Sequence, residues 1–191
     1  MTSFTVCIPA AGSGTRMNSA VPKQYLPLCG RAVLVHTLDV FERMDSCQRI
    51  IIATDDRDRL SALLATRDWG TPIHIVDGGA QRQHSVANAL AAVDGDDTVV
   101  LVHDAARPCV RAEDVQAVAD RVAEHGAALL AVAARDTLKE VRDGVVLRTV
   151  DRSVIWQAQT PQGARAVLLR EAFTHADPNR RATHSVSSTV V

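Results

Sequence analysis

Residues 4–17 read FTVCIPAAGSGTRM, an apolar strand that runs into a glycine-rich turn. Glycine permits a tight turn and lets a ligand approach the backbone closely. A strand that ends in such a turn directs several backbone N–H groups toward one point, an arrangement that binds anions and most often phosphate. Arg16 and Lys23 place two positive charges beside the loop. The stretch predicts a nucleoside triphosphate site, although Gly12 and Gly14 read alone also suit a turn without a ligand.

The rest of the chain alternates short apolar runs with amphipathic stretches. The predicted strands are Phe4–Ile8, Arg49–Ala53, Ile73–Val76, Thr98–Val102 and Ala127–Ala131. The predicted helices are Ala32–Arg43, Arg57–Ala65, His84–Val93, Ala112–Glu124 and Ala164–Thr174, with Gly126 placed to end the fourth. This alternation predicts one α/β domain over residues 1–191, with a mainly parallel, Rossmann-like sheet covered by helices on both faces. Ligands of such sheets bind at the carboxyl ends of the strands.

One segment departs from the alternation. Residues 137–141 and 145–150 flank Arg142-Asp143-Gly144, and Asp-Gly between two such runs is a strong hairpin signal. We expect residues 135–152 to form a projecting β-arm. Because arms of this kind commonly pair with a second subunit, the segment also suggests a two-fold homodimer.

Composition excludes several classes of function. The net charge of −1 and the 3% aromatic content argue against nucleic-acid and anionic-membrane partners. No apolar stretch approaches the length of a membrane span, and no signal peptide is visible. The four cysteines are far apart without a Cys-x-x-Cys pair, which favours reduced thiols in a cytoplasmic protein over a zinc site or disulfides.

Polar clusters follow the third and fourth predicted strands. Residues 77–82 read DGGAQR, with Ser85 close behind, and paired glycines suggest contact with a flat ligand such as a base; an ordinary loop that caps the next helix is the alternative. Residues 103–108 read HDAARP, where Asp104 is placed to hold Mg²⁺ against a triphosphate and Arg107 to meet a phosphate. His103 is better read as a structural histidine.

Two further clusters lie around and after the hairpin. Arg135-Asp136-Thr137 precedes it and Asp151-Arg152 follows it, so Arg152 returns near Thr137 if the strands pair; an Asp136–Arg152 ion pair is the alternative. Residues 159–162, QTPQ, read as a polar turn before the last helix. Cys109 and Trp156 read as packing residues.

A phosphate loop, two cations, a metal-holding carboxylate and two more arginines suit nucleotidyl transfer. In that reaction an incoming phosphate attacks the α-phosphorus of a nucleotide and pyrophosphate leaves. Positioning and charge neutralisation carry most of the catalysis, without a covalent enzyme intermediate.

These motifs together resemble a known family. PAAGxGxRM at 9–17, PKQY at 22–25, DGG at 77–79, VHDAARP at 102–108, RDT at 135–137 and QTPQ at 159–162 occur in the same order as in 2-C-methyl-D-erythritol 4-phosphate cytidylyltransferases. The resemblance extends from about Phe4 to about Thr174 and implies a nucleotidyltransferase fold. It also implies that CTP and methylerythritol phosphate give 4-diphosphocytidyl-2-C-methylerythritol and pyrophosphate, with Mg²⁺ as cofactor, in non-mevalonate isoprenoid biosynthesis.

The resemblance implies a role for each matching residue. CTP would contact Pro9, Ala10, Ala11, Gly12, Gly14, Gly79, Arg82, Ser85, Asp104 and Ala105, with cytosine at Ala10, Gly79 and Ser85. The catalytic residues would be Arg16, Lys23 and Arg152, the first two stabilising the pentacoordinate phosphate, while Asp104 would lie near the ribose and Mg²⁺. The methylerythritol phosphate would be held by Arg107, Thr137, Arg152 and Thr160, with the two arm residues, Thr137 and Arg152, acting in trans across a dimer.

The C-terminal tail departs from the family pattern. The family continues with a Thr-Asp-Glu-Ala-Ser-like stretch, a further strand and a lysine that helps to hold the substrate phosphate, whereas residues 182–191 read ATHSVSSTVV. We expect a truncated or frameshifted C-terminus, and sequencing the encoding DNA tests the frameshift.

Three alternatives to this function stay open at this point. A cytidylyltransferase for another polyol phosphate, such as ribitol 5-phosphate, would carry much the same nucleotide loop. A nucleotide-binding remnant would have lost turnover with its C-terminus. A purely structural domain would leave four charged residues at the strand ends without a role, namely Arg16, Lys23, Asp104 and Arg107.

Overall fold

A computed structural model describes residues 1–12, 21–175 and 189–191 of the chain. The strands are β1 (Phe4–Pro9), β2 (Pro27–Leu28), β3 (Arg31–Ala32), β4 (Cys47–Thr54), β5 (Ile73–Asp77), β6 (Val99–Val102), β7 (Ala127–Ala133), β8 (Leu138–Arg142), β9 (Val145–Val150), β10 (Trp156–Arg165) and β11 (Thr189–Val190). The helices are α1 (Val33–Glu42), α2 (Arg57–Leu64), α3 (Arg82–Ala91), α4 (Ala112–His125) and α5 (Ala166–His175). Gly14, Arg16 and residues 182–188 of the predicted tail lie outside the described residues.

The main sheet contains seven strands in the order β11-β7-β10-β6-β1-β4-β5. The pairs β1–β4, β1–β6, β4–β5 and β7–β11 are parallel, whereas β10 is antiparallel to both of its neighbours. The predicted mainly parallel α/β sheet is therefore confirmed. Because β1 is an interior strand between β6 and β4, its carboxyl end places the start of the glycine-rich turn beside the carboxyl ends of these two parallel neighbours.

Helices cover both faces of the sheet, as predicted. On β1, Val6 and Ile8 join the core that contains the apolar residues of α1, α2 and α4, whereas Cys7 joins the core beneath α3 and α5. This split follows from the period of two along a strand, which sends successive side chains to opposite faces. The predicted end of the fourth helix is also confirmed, because Gly126 has a φ of +85° and its N–H bonds to the carbonyl of Val122.

The interpretation of residues 159–162 as a turn is wrong. They lie inside β10, which continues to Arg165, so the last helix begins at Ala166 and not at Ala164. The proline lies where the strand's register with β7 is interrupted, between Ala158 and Gln162, so that it does not break regular pairing. Gly163 allows β6 to come close, since a Cβ there would lie 2.5 Å from Leu101 Cδ2.

The hairpin forms where the sequence predicted it. β8 and β9 pair as a separate two-stranded antiparallel sheet, and Asp143 and Gly144 adopt positive φ angles of 49° and 79° in the turn. Most side chains of the hairpin are exposed. Trp156, just after it, has 51% of its surface exposed and Cys109 is exposed as well, so the prediction that these two residues pack inside is wrong.

The other element boundaries differ from the predictions by one or two residues. β4 begins at Cys47 because its pairing with β1 extends it beyond the apolar run, and α3 lies two residues earlier than predicted, at Arg82–Ala91. No helix within the described ranges is long and apolar enough to cross a membrane.

Candidate active site

The nucleotide loop lies between the β4–α2 and β5–α3 connections. The N–H of Ala10 donates to the carbonyl of Ala53 at 2.7 Å, and the N–H of Gly78 donates to the carbonyl of Thr54 at 2.7 Å. These bonds fix the start of the loop and the glycine pair against the same strand, β4. The carboxyl ends of β1, β4 and β5 therefore meet at one edge, as the parallel sheet predicts.

The two glycines of the DGG motif are required by close packing. A Cβ on Gly78 would lie 2.2 Å from Ala11 Cβ, and a Cβ on Gly79 would lie 2.3 Å from His84 Cβ. Neither glycine has the positive φ that would make backbone freedom the reason for its presence. Gly78 therefore brings the β5–α3 connection into contact with the nucleotide loop, whereas Gly79 packs against the first turn of α3.

Ser85 and Ala105, which are both predicted to bind the nucleotide, are held by hydrogen bonds within the protein. Ser85, which is buried, accepts a hydrogen bond at its Oγ from the N–H of Gly79 at 3.0 Å. Ala105 is also buried, and its carbonyl accepts a hydrogen bond from Thr37 Oγ1 at 2.9 Å. Both contacts set the shape of the loop walls before a ligand binds.

Asp104 lies between two arginines at the carboxyl end of β6. Its Oδ1 accepts from Arg82 Nη2 at 2.8 Å, and its Oδ2 accepts from Arg107 Nε at 2.9 Å. Arg107 also donates to Gln159 Oε1 at 2.6 Å, which extends the network to β10. Burial alone would raise the pKa of Asp104, but Arg82 and then Arg107 outweigh it and hold that pKa below its ordinary value. The carboxylate is therefore ionised at neutral pH.

His103 is fully buried beneath this network. Its Nε2 lies 3.1 Å from the carbonyl oxygen of Arg107, and its ring packs edge-on against Phe41. Because a carbonyl only accepts, Nε2 carries the proton and donates it. Burial lowers the pKa of His103, so the ring is neutral, in agreement with its interpretation as a structural histidine.

The predicted substrate residues divide into two groups. Thr160, on β10, is buried, and its Oγ1 accepts from the N–H of Asp104 at 3.3 Å, so Thr160 joins Arg107 beside the Asp104 network. Thr137 and Arg152 are exposed at the base of the arm. Among the described residues, no hydrogen bond or ion pair links either of them to Asp104.

Arg152 returns to the start of the hairpin, as predicted. Its Nη1 donates to the carbonyl oxygen of Arg135. In the part of the chain that the structure describes, no ion pair joins Asp136 to Arg152. The alternative of an Asp136–Arg152 pair is therefore not the arrangement observed.

Sequence reasoning gave no role to Gln24, which the structure places under the nucleotide loop. Gln24 is 2% exposed and donates from Nε2 to the carbonyl oxygens of Ala10, at 2.5 Å, and Gly12, at 3.2 Å. The neighbouring Lys23 is exposed on the same short 3-10 turn, Lys23–Tyr25. The sequence shows only an uncharged polar residue directly after the predicted catalytic lysine, and the burial of Gln24 becomes visible in the structure.

Comparison with known proteins agrees with this arrangement. Residues 4–189 match the family model for 2-C-methyl-D-erythritol 4-phosphate cytidylyltransferase. The chain is 41% identical to the enzyme of that name from Bacillus licheniformis, over 92% of this chain and 76% of the relative. It is 45% identical to the one from Symbiobacterium thermophilum, over 90% of this chain and 72% of the relative.

A solved structure has a similar fold over most of this chain. The cytidylyltransferase of the same name from Francisella tularensis superposes with a TM-score of 0.75 at 36% identity, covering 91% of this chain and 77% of that one.

Proposed function

The chain belongs to the 2-C-methyl-D-erythritol 4-phosphate cytidylyltransferase family, and from this premise we propose how its residues join CTP to methylerythritol phosphate. The reaction yields 4-diphosphocytidyl-2-C-methyl-D-erythritol and pyrophosphate, a step in isoprenoid precursor biosynthesis. The observation that carries the proposal is the packing of the Pro9–Gly12 loop against Gly78 beside the ionised Asp104 network. Together these elements would contact the base, the ribose and the triphosphate of one CTP molecule.

In this proposal the backbone walls recognise cytosine. The carbonyl oxygen of Ala10 accepts one hydrogen bond from Gln24, and its second lone pair would accept from the exocyclic amino group of the base. Gly79 and Ser85 would line the opposite wall, and Pro9, Ala11 and Gly14 would contribute loop backbone. The small side chains there allow the ligand to approach closely.

Charge neutralisation would then lower the barrier for transfer. The phosphate of methylerythritol phosphate attacks the α-phosphorus of CTP, forming a new P–O bond as the bond to pyrophosphate breaks. Arg16 and the exposed Lys23 would stabilise the charge on the pentacoordinate phosphorus, and Arg107 and Thr160 would orient the attacking phosphate.

The donor set at Asp104 fits Mg²⁺. Mg²⁺ binds through one or two carboxylates together with substrate phosphates, and Asp104 supplies one ionised, partly exposed carboxylate at the triphosphate edge. No cluster of three or more histidine, cysteine or acidic residues in the described ranges offers a protein-only metal site. Mg²⁺ bound here would supply charge neutralisation for the phosphates, while Arg82 and Arg107 would have to release part of their hold on Asp104.

We further propose a cytoplasmic homodimer in which the arm completes the neighbouring site. Thr137 and Arg152 lie at the base of the arm without a described bond to the Asp104 network, and Trp156 is largely exposed beside them. Mixing Lys23→Ala chains with Arg152→Ala chains tests this arrangement. If the arm acts in trans, each heterodimer contains one intact site of its two, and random pairing makes about half of all dimers heterodimers, so about a quarter of wild-type activity returns. An arm acting in cis restores none.

The proposed activity is tested by pyrophosphate release from CTP and Mg²⁺ with methylerythritol phosphate or ribitol 5-phosphate. We expect release with the first acceptor to exceed that with the second by at least an order of magnitude, because matching polar groups discriminate strongly between acceptors. Preference for ribitol 5-phosphate would overturn the substrate assignment. CTP binding without release with either acceptor would identify a nucleotide-binding remnant.

A further inference from the structure

We propose that Gln24 is a positioning residue that ties the nucleotide loop to the turn carrying Lys23. The inference rests on the proposed function of this site. The buried amide of Gln24 would hold both the loop backbone and Lys23 in position, and both of these act on the same nucleotide.

The geometry fixes which end of the Gln24 amide faces the loop. Its nitrogen lies 2.5 Å from the carbonyl oxygen of Ala10 and 3.2 Å from that of Gly12. Both partners are carbonyl oxygens, which only accept hydrogen bonds, so the NH₂ group with its two protons is the end that satisfies them. One side chain therefore holds two carbonyls on either side of Ala11.

The turn that carries Gln24 is itself anchored to the sheet. Tyr25, the next residue, places its hydroxyl 3.3 Å from Thr54 Oγ1, at the end of β4. The N–H of Tyr25 donates to the carbonyl of Pro22 at 2.9 Å, which closes the turn around Lys23. Gln24 thus connects an anchored turn to the loop, and a shift of the loop relative to Lys23 requires breaking its hydrogen bonds.

The bonds of Gln24 face the ligand loop, so their loss has a specific kinetic consequence. Without them the Ala10 and Gly12 carbonyls can rotate, and this rotation would displace the loop backbone that binds the triphosphate in the proposed function. A misplacement of about 1 Å is enough to slow an enzyme about 100-fold. We therefore expect Gln24→Met to lower kcat/KM for CTP by about 10- to 100-fold. The KM for methylerythritol phosphate should stay close to wild type, because no hydrogen bond among the described residues joins Gln24 to Arg107 or Thr160.

The test compares wild type, Gln24→Met and Gln24→Asn, with Gln48→Met as matched control. Methionine keeps the length of the side chain without its donors, and asparagine keeps the amide but shortens its reach. Gln48 also donates one side-chain hydrogen bond to a backbone carbonyl, that of Asp45 at 3.0 Å, but it lies in an exposed position away from the site. For each protein kcat, both KM values, the CTP dissociation constant by calorimetry and Tm are measured.

A positioning role predicts weaker CTP binding and lower kcat for both Gln24 variants, with an unchanged KM for methylerythritol phosphate. The control Gln48→Met should show wild-type kinetics and CTP binding. Wild-type kinetics with a lowered Tm would overturn the proposal, as would equal losses toward both substrates. If neither Gln24 variant folds, the residue is structural and the proposal is likewise overturned.

Failure of this inference is distinguishable from failure of the proposed function. An active wild type with equally active Gln24 variants refutes the inference alone. A wild type that binds CTP without turnover refutes the activity, while the calorimetric comparison still decides the role of Gln24. A wild type that neither binds CTP nor turns over refutes both.

Discussion

Replacing Gly78 by alanine tests the close packing on which the nucleotide site depends. The added Cβ would lie 2.2 Å from Ala11 Cβ, whereas non-bonded carbon atoms prefer about 3.5–4.0 Å. The two loops must therefore separate by roughly 1.5 Å. On its other side the new methyl group meets backbone, with the Thr54 carbonyl carbon at 3.1 Å and the Asp55 nitrogen at 3.3 Å, so the strain falls mainly on the nucleotide loop.

The magnitude follows from the cost of overpacking. An extra methyl group in a packed site costs about 1–3 kcal/mol. If that strain is borne by the loop, CTP affinity falls by about 5- to 150-fold. The assay is the CTP dissociation constant by calorimetry together with kcat/KM for CTP, measured well below Tm.

Two further variants separate this clash from a general effect. Gly70→Ala is the control, because its nearest neighbour, Glu42 Oε1, would lie at an ordinary 3.4 Å from the new methyl group. The double variant Ala11→Gly/Gly78→Ala removes one partner of the clash and should recover a large part of the lost affinity. Wild-type CTP affinity in Gly78→Ala, or a double variant no better than the single one, would refute the packing argument.

Three more outcomes are expected elsewhere in the chain. Lys23→Ala should leave Tm unchanged and lower kcat by about 100- to 1,000-fold, the usual effect of losing one transition-state charge contact, and unchanged turnover would remove the role of Lys23. Gly163→Ala should lower the free energy of unfolding by about 1–3 kcal/mol, because the new Cβ would lie 2.5 Å from a Leu101 methyl group. Tm should fall by about 2–4 °C for each kcal/mol lost, and an unchanged melting curve would contradict this. Burial raises the pKa of Cys7 and Cys47 from 9.0 to about 12, so a thiol reagent should modify the two exposed cysteines and spare these two until the protein unfolds. Because the unfolded chain loses those protons first, stability should also fall between pH 9.0 and about 12, as measured by denaturant unfolding.

The elements that could be predicted from the sequence are those in which the pattern of apolar residues by itself indicates a strand or a helix. β1 and β6 are apolar runs because both faces of the parallel sheet are covered, so composition alone identifies them. β10 could not be recognised from the sequence, because it contains several polar residues as well as Pro161 and Gly163, a composition that is typical of a loop. Its conformation comes from pairing with β6 and β7, which lie far away in sequence.

The same distinction applies to the site. The pair Gly78-Gly79 is recognisable because the close approach of neighbouring atoms leaves no room for a Cβ at either position. The contribution of Gln24 depends on its distance to the Ala10 carbonyl, which only the folded turn creates. The contact of Arg82 with Asp104 likewise arises from β6 and α3 meeting at one edge, whereas Arg107 is only three residues from Asp104 in the sequence.

Phosphorus NMR of the chain incubated with CTP, Mg²⁺ and methylerythritol phosphate tests the central claim most directly. The account predicts that the CTP and monophosphate signals disappear together, while signals of inorganic pyrophosphate and of a diphosphate diester appear in equal amounts. The Lys23→Ala chain should leave the starting signals in place over the same period. Persistence of CTP with the wild-type chain, or loss of CTP without the diester, would contradict the assignment of this chain as a cytidylyltransferase for methylerythritol phosphate.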